Sequence, residues 1–220
     1  MLDEITGLSI IIPVYNECDN VVVLYNEIIS ALHDLKCKFE VIFVDDGSND
    51  NTSDKVLSLQ KEHHNLKLVR HKKNAGQSAA LVSGARAANY NVLVTLDGDG
   101  QNDPFDIPKL LSEMRGLNTV VLGNRQKRDD NFIRILSSRV GNSVRRMFLH
   151  DNCPDTGCSL KLFAKDAFLQ VPHFNHLHRY LPALFKRQGM HIVNVKVNHR
   201  PRVHGISKYG IMNRLFVGIS

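Results

Sequence analysis

The chain has no uninterrupted apolar segment of the roughly 20 residues that a bilayer-spanning helix needs. Its four cysteines, Cys18, Cys37, Cys153 and Cys158, form no C-x-x-C pair, a scatter that favours free thiols over a disulfide framework. No G-x-G-x-x-G follows the first apolar run and no Walker lysine loop occurs, so dinucleotide and P-loop readings lose support. The opening MLDEITGLSIIIPVYNE is acidic ahead of its apolar run, unlike a secretory leader. Neither a low-complexity linker nor a solenoid repeat interrupts the chain. No nucleic-acid recognition module or aromatic stacking platform accompanies its basic residues, which argues against nucleic acid as a partner.

What is present is 220 residues, 43% hydrophobic and 23% charged, the composition of one soluble globular domain with ample core. The formal net charge of +6 is unevenly placed. Arg125, Lys127, Arg128, Arg134, Arg139, Arg145 and Arg146 crowd one segment, and Arg200, Arg202 and Lys208 form a second. Such patches suit anionic partners, phosphates or an acidic membrane face.

Short β-branched runs alternate with helical periodicity. LSIIIPVY (8–15) and EVIFV (40–44) read as strands, and residues 19–36 between them as a helix. A helix over 52–63 leads to strand 66–70, and a small-faced helix over 77–88, able to pack close to a sheet, leads to strand 91–96. Beyond Pro104 the pattern gives helix 106–115, strand 118–124, a basic helix over 131–149, strand 159–163, helix 176–188 and strand 191–199. This is an α/β chain with a mostly parallel sheet and helices on both faces.

Ligands of open α/β sheets gather at the carboxyl ends of the strands, and three motifs lie there: Pro13-Val14-Tyr15-Asn16-Glu17, Val44-Asp45-Asp46-Gly47-Ser48, and the acidic Asp97-Gly98-Asp99-Gly100-Gln101. In an extended segment Asp97, Asp99 and Gln101 would share one side. Two carboxylates about 4 Å apart repel by roughly 4 kcal/mol at an effective dielectric of 20, and a hard divalent cation reverses that sign. Asp46 can accept a hydrogen bond from a base or ribose, with Gly47 and Ser48 as turn and cap. For each acidic motif alone, a turn-and-cap duty is the ordinary alternative; their recurrence on one sheet edge favours a site.

PVYNE, VDDGS, NAGQSAAL and DGDGQNDP, in this order, resemble family 2 glycosyltransferases of the GT-A fold. Gly123-Asn124-Arg125, Asp155-Thr156-Gly157-Cys158 and RVHGISKYG (202–210) are similar to the dolichol-phosphate mannosyltransferase and undecaprenyl-phosphate glycosyltransferase branch. The resemblance implies a nucleotide-sugar donor linked through GDP or UDP, Mg²⁺ or Mn²⁺, and a polyprenyl-phosphate acceptor. It implies donor contacts at Pro13, Tyr15, Glu17, Val44, Asp46, Asp97 and Gly98, and metal ligation by Asp99 and Gln101. Gly98 and Gly100 stand where relatives often carry Ala and Leu. The resemblance divides one catalytic domain into a nucleotide-sugar half (1–104) and an acceptor half (105–220).

The departing diphosphate gains negative charge, which a metal, Arg202 and Lys208 can offset, with Arg125 contributing to the donor side. A lipid phosphate is already anionic and needs cations rather than a general base. Arg125 and Arg134 suit that role, and Arg134 and Ser138, four apart on the expected helix, match the family's acceptor-phosphate pair; a solvated helix face is the alternative. Asp97, Asp99, Arg125 and Arg134 are thus the catalytic candidates, with Asp155, His178 and Arg179 as further acceptor-side candidates. Direct attack by the phosphate would invert the anomeric configuration. The expected location is the cytoplasmic face of the membrane, held peripherally by the basic helix. The ending YGIMNRLFVGIS is apolar where many relatives continue into hydrophobic segments, which implies a longer native chain. Competing readings are transfer to a saccharide or lipid hydroxyl, which calls for a carboxylate base, and a nonenzymatic nucleotide-sugar binding module.

Overall fold

The computed structural model describes residues 4–125 and 153–201. β1 (Leu8–Val14), α1 (Val21–Leu32), β2 (Phe39–Asp45), α2 (Thr52–Glu62), β3 (Leu66–Arg70), α3 (Gln77–Ala87) and β4 (Val92–Thr95) build a repeated strand–helix unit. A 3₁₀ turn (Pro104–Asp106), α4 (Ile107–Ser112) and β5 (Thr119–Arg125) follow; then β6 (Lys161–Ala164), α5 (Lys165–Leu169), α6 (Leu177–Arg187) and β7 (His191–Val197). The seven strands form one sheet in the order β3-β2-β1-β4-β6-β5-β7. All pairings are parallel except those of β6, which runs antiparallel to both β4 and β5.

Alternation sends successive side chains to opposite faces. Ile10, Ile12, Val14, Val41 and Phe43 enter one core with Leu24, Tyr25 and Ile28 of α1, Val56 of α2 and Leu110 of α4. Ile11, Ile42, Val44 and Leu93 enter the other, against Leu81 and Ala85 of α3, Phe168 of α5 and Leu181 and Phe185 of α6. Both faces are covered, which is why the inner strands read as continuous apolar runs. The small face of α3 does pack close: a Cβ on Gly84 would overlap Ile11. β7, at the sheet edge, buries Val195 and Val197 on one face and exposes Asn194 and Lys196 on the other.

Two sequence expectations shift. The segment read as a strand over 159–163 begins at Lys161 and reverses direction, and α5, five residues long, was not anticipated. A five-residue helix is too short to leave a periodic signal. The expected helix over 131–149, with Arg134 and Ser138, lies outside the described residues, as do Arg202 and Lys208. Among the described residues no helix is long and apolar enough to cross a membrane.

Candidate functional site

The carboxyl ends of β1, β2 and β4 converge because β1 is hydrogen-bonded to both neighbours in parallel register. The Asp46 backbone N–H donates to the Val14 carbonyl, and that of Leu96 to the Ile11 carbonyl, so all three motifs leave the sheet side by side. The Pro13–Glu17 loop interlocks with the loop after β2. Asn16, held at φ +54°, receives the Ser48 hydroxyl as acceptor of its backbone N–H at 2.9 Å and accepts from the Asn49 backbone at 2.8 Å. The Glu17 backbone N–H donates to the Thr52 hydroxyl, and the Glu17 carboxylate accepts from Asn20 at 2.6 Å.

The adjacent aspartates divide their work. Asp45 is fully buried and structural: it accepts from the Ser48 backbone N–H and from the Ser53 hydroxyl. Asp46 gathers the loop after β3, accepting from His71 Nδ1 at 2.7 Å, the Ala75 N–H at 2.9 Å and the Gly76 N–H at 2.8 Å. Val44 is fully buried, its side chain in the sheet core, so at the site it can contribute only main chain. Pro13, Tyr15 and Glu17 are partly exposed along this edge.

The acidic segment is not extended. It turns through Gly98–Gly100, with Gly100 at φ +72°, and the Gln101 N–H donates to Asp99 Oδ1 at 3.1 Å, a side-chain-closed turn. Gly98 packs against β1: a Cβ there would meet Val14 Cγ1 at 2.6 Å and the Pro13 carbonyl at 3.0 Å. An alanine at 98 therefore requires Val14 to give way. Asp97 accepts from Gln77 Nε2 at 2.7 Å. Burial, followed by the neighbouring Asp99 charge, pushes the Asp97 carboxyl above the usual carboxylate range.

A second frame holds this turn from behind. Asn102 Oδ1 accepts from the Asp97 N–H at 3.2 Å and from the Ser159 hydroxyl at 2.6 Å, while Thr95 donates to the Ser159 carbonyl at 2.5 Å. The chain leaving β7 is stapled alongside: Asn102 bridges His199, and the Arg200 N–H donates to the Gln101 carbonyl at 2.9 Å. The Arg200 guanidinium spans Glu27 on α1 and Asp103. Arg200 thus lies beside the acidic turn.

Among the described residues no group of three or more His, Cys, Asp or Glu forms a metal cage. The donor set at the turn is two carboxylates with the Gln101 amide. That fits a hard cation with a partial oxygen shell whose remaining positions go to phosphates and water, and such a cation would offset the Asp99 charge that, after burial, raises Asp97.

The acceptor-side candidates fall into two groups. Asp155 and Arg125 form a forked, buried pair, Nε to Oδ2 at 2.6 Å and Nη2 to Oδ1 at 2.7 Å, with side-chain exposures of 8% and 12%. Burial alone lowers the Arg125 pKa, but the Asp155 fork more than reverses this and raises it. Much of the fork expected to meet a phosphate is therefore already engaged. His178 lies apart, at the start of α6, where its Nδ1 meets the Ser78 hydroxyl at 3.0 Å. Burial, aided by Lys161, pushes its pKa down to about 3, so it is neutral at physiological pH. Arg179 beside it is partly exposed.

Sequence reasoning missed Gln77, His71, Asn102 and Ser159 as site residues. Gln77 carried the one available signal, an amide at the first position of an otherwise small, apolar helix face.

Residues 9–171 match the model for glycosyl transferase family 2. The chain belongs to that family. It is 34% identical over 209 residues to dodecaprenyl-phosphate galacturonate synthase of Rhizobium johnstonii, covering 93% of this chain and 62% of that protein. It is 30% identical over 206 residues to undecaprenyl-phosphate 4-deoxy-4-formamido-L-arabinose transferase of Edwardsiella ictaluri, covering 93% and 63%. The chain thus spans somewhat under two thirds of the length of these relatives. Its fold is of the GT-A type, similar to glucosyl-3-phosphoglycerate synthase from Mycobacterium tuberculosis solved with Mn²⁺ and UDP-glucose. That likeness has a TM-score of 0.73 at 17% identity, covering 96% of this chain and 77% of that one.

Proposed function

We propose that the chain is the catalytic domain of a divalent-metal-dependent, inverting glycosyltransferase that moves a sugar from a nucleotide diphosphate to a polyprenyl phosphate at a membrane surface. The observation that carries this reading is the acidic turn at the exit of β4, braced on three sides and flanked by the Asp46 loop and the Arg200 segment. The names of two relatives, both polyprenyl-phosphate sugar enzymes, support the acceptor class.

Asp99 and Gln101 would hold Mg²⁺ or Mn²⁺, which when bound supplies charge neutralisation to the departing diphosphate. Asp97, oriented by Gln77, sits where the donor's diphosphate-proximal end would lie. Asp46 and the Pro13–Glu17 loop line the end suited to the base and ribose. The acceptor is already an anion, so no proton needs to be removed; the chain's task is to bring two anions together against their repulsion. Arg125 and Arg134, with Ser138, are assigned to that task from sequence, and Arg202 with Lys208 to the charge of the departing diphosphate. Arg125 is held by Asp155, and attack on the sugar from the face opposite the departing diphosphate inverts it.

A panel of radiolabelled UDP- and GDP-sugars, offered with synthetic polyprenyl phosphate with and without Mn²⁺ or Mg²⁺, tests the reading. Lipid-linked product only with metal, and with anomeric configuration opposite to the donor by phosphorus–proton coupling, is the expected result. Transfer to a saccharide hydroxyl with none to the lipid phosphate would refute it.

A further inference from the structure

The two helical layers of the sheet differ in charge. The helices over one face, α1, α2 and α4, carry Glu27, Asp54 and Glu62 against Lys55, Lys61 and Lys109, a balanced set. Those over the other, α3, α5 and α6, carry Arg86, Lys165, Arg179, Lys186 and Arg187 against Asp166 alone. Residues 63–96 and 167–201, which include α3 and α6, hold no Asp or Glu. Asp166 stands at the end away from the site, because the Lys165 N–H beside it donates to the Asn91 carbonyl, ahead of β4. At the site end, two loops make one exposed tip. Lys72, Lys73, Asn74 and Ala75 are exposed on the first, and residues 172–175 on the second. The loops meet: Asn175 Oδ1 comes within 3.8 Å of where a Cβ on Gly76 would stand, and His178 is bonded to Ser78. Phe174 is 44% exposed there, and its ring leans on Tyr180 with centroids 5.9 Å apart.

Resting on the polyprenyl-phosphate reading above, we infer that this tip, with Lys72, Lys73, Phe174 and Tyr180, is the surface by which the domain docks on an anionic bilayer. Each lysine near an anionic lipid surface strengthens binding by about fivefold, whereas lysine is depleted from protein–protein interfaces. A phenyl ring with a phenol beside it suits the headgroup level of a bilayer. The α1, α2 and α4 layer is balanced, so the charge difference between layers turns the acid-free side toward the membrane. The first loop continues into Gly76 and Gln77, which reach Asp46 and Asp97. Docking by this tip therefore holds the mouth of the site at the surface in which a lipid phosphate lies.

The test is co-sedimentation of the full chain with phosphatidylcholine vesicles and with vesicles that also contain phosphatidylglycerol. Three variants accompany it: Lys72→Glu/Lys73→Glu, Phe174→Ser, and the charge-matched Lys55→Glu/Lys61→Glu on α2, whose lysines are equally exposed. Wild type should prefer the anionic vesicles and lose that preference at high salt. The Lys72/Lys73 variant should weaken anionic binding by about tenfold or more, and Phe174→Ser by about threefold or more. The α2 variant should change it by less than about twofold. Should Lys72→Glu/Lys73→Glu melt below wild type, Lys72→Gln/Lys73→Gln serves instead, with a smaller loss in the same direction. Wild type indifferent to phosphatidylglycerol, or α2 and tip variants weakened alike, overturns the inference. Loss on the lysine variant with none on Phe174→Ser points to a soluble polyanion and overturns it too. Sugar transfer to polyprenyl phosphate in detergent is scored separately. Its absence with tip-dependent binding intact refutes the functional reading and leaves the docking surface standing; transfer with binding indifferent to the tip refutes the docking surface alone.

Discussion

Replacing Asp155 by asparagine isolates the question of whether Arg125 serves the fold or the substrate. The substitution keeps the shape of the side chain and removes the charge that two guanidinium nitrogens grip at 2.6 and 2.7 Å. Arg125 would then be an almost buried cation, 12% exposed, without its counter-ion. Breaking a buried pair from one side costs about 3–5 kcal/mol, because the remaining charge stays desolvated. In a domain of this size each kcal/mol moves the midpoint by about 2–4 °C, so the melting temperature should fall by roughly 6–20 °C. Calorimetry or denaturant unfolding at neutral pH reads this directly. The companion Arg125→Met/Asp155→Leu double variant should recover much of the loss, since apolar groups of similar volume remove both desolvation penalties. A cost below about 1 kcal/mol for Asp155→Asn, the level of a solvated surface pair, would refute the reasoning. It would mean that the guanidinium is already in water and available to a phosphate.

Three further outcomes follow from the site. His178, ordinarily near 6.5 and held by burial at about 3, is neutral in the fold but protonates in the unfolded chain. Its contribution is complete above pH 6.5 and shrinks as the pH falls toward 3, at up to about 1.4 kcal/mol per unit; urea titrations at pH 7.5 and 5 should show it, and His178→Phe should flatten the slope. Gln77→Leu removes a donor from Asp97, a bond to a charged group of about 1.5–3 kcal/mol, and should lower kcat/KM for the donor by about tenfold to a hundredfold. Asp99→Asn and Gln101→Ala should each abolish metal-dependent turnover, and manganese titration followed by electron paramagnetic resonance should lose the nucleotide-dependent bound signal.

The order of strands and helices was legible because each inner strand is buried on both faces, and Ile10 to Val14 or Val41 to Val44 leave no polar interruption to confuse the period. Strand direction was not legible. Ser159–Phe163 reads alike in either sense, and only pairing with Val92–Thr95 on one side and Val121–Leu122 on the other decides that β6 runs backwards. The three acidic motifs were visible as breaks at strand ends. Their internal division of labour was not, since nothing local distinguishes Asp45, closed onto Ser48 and Ser53, from Asp46, which reaches a loop some 25–30 residues away. The expectation of an extended acidic segment failed at Gly98 and Gly100, whose turn is stabilised by Asp99 capping the Gln101 N–H.

The first turn of α3 explains why the missed residues belong together. Gly76 donates its N–H to Asp46, Gln77 its amide to Asp97, and Ser78 meets His178 on α6. Three consecutive residues thus contact the suggested base end, the acidic turn and the second half of the domain. The three contacts are made within one turn of chain. The Gly84 contact with Ile11 keeps that helix seated on the sheet while its first turn does this work. Small residues along α3 and the polar run Gln77–Ser78 at its start are two parts of one arrangement. The small face lets the helix approach the sheet closely enough for its first turn to reach Asp46, Asp97 and His178.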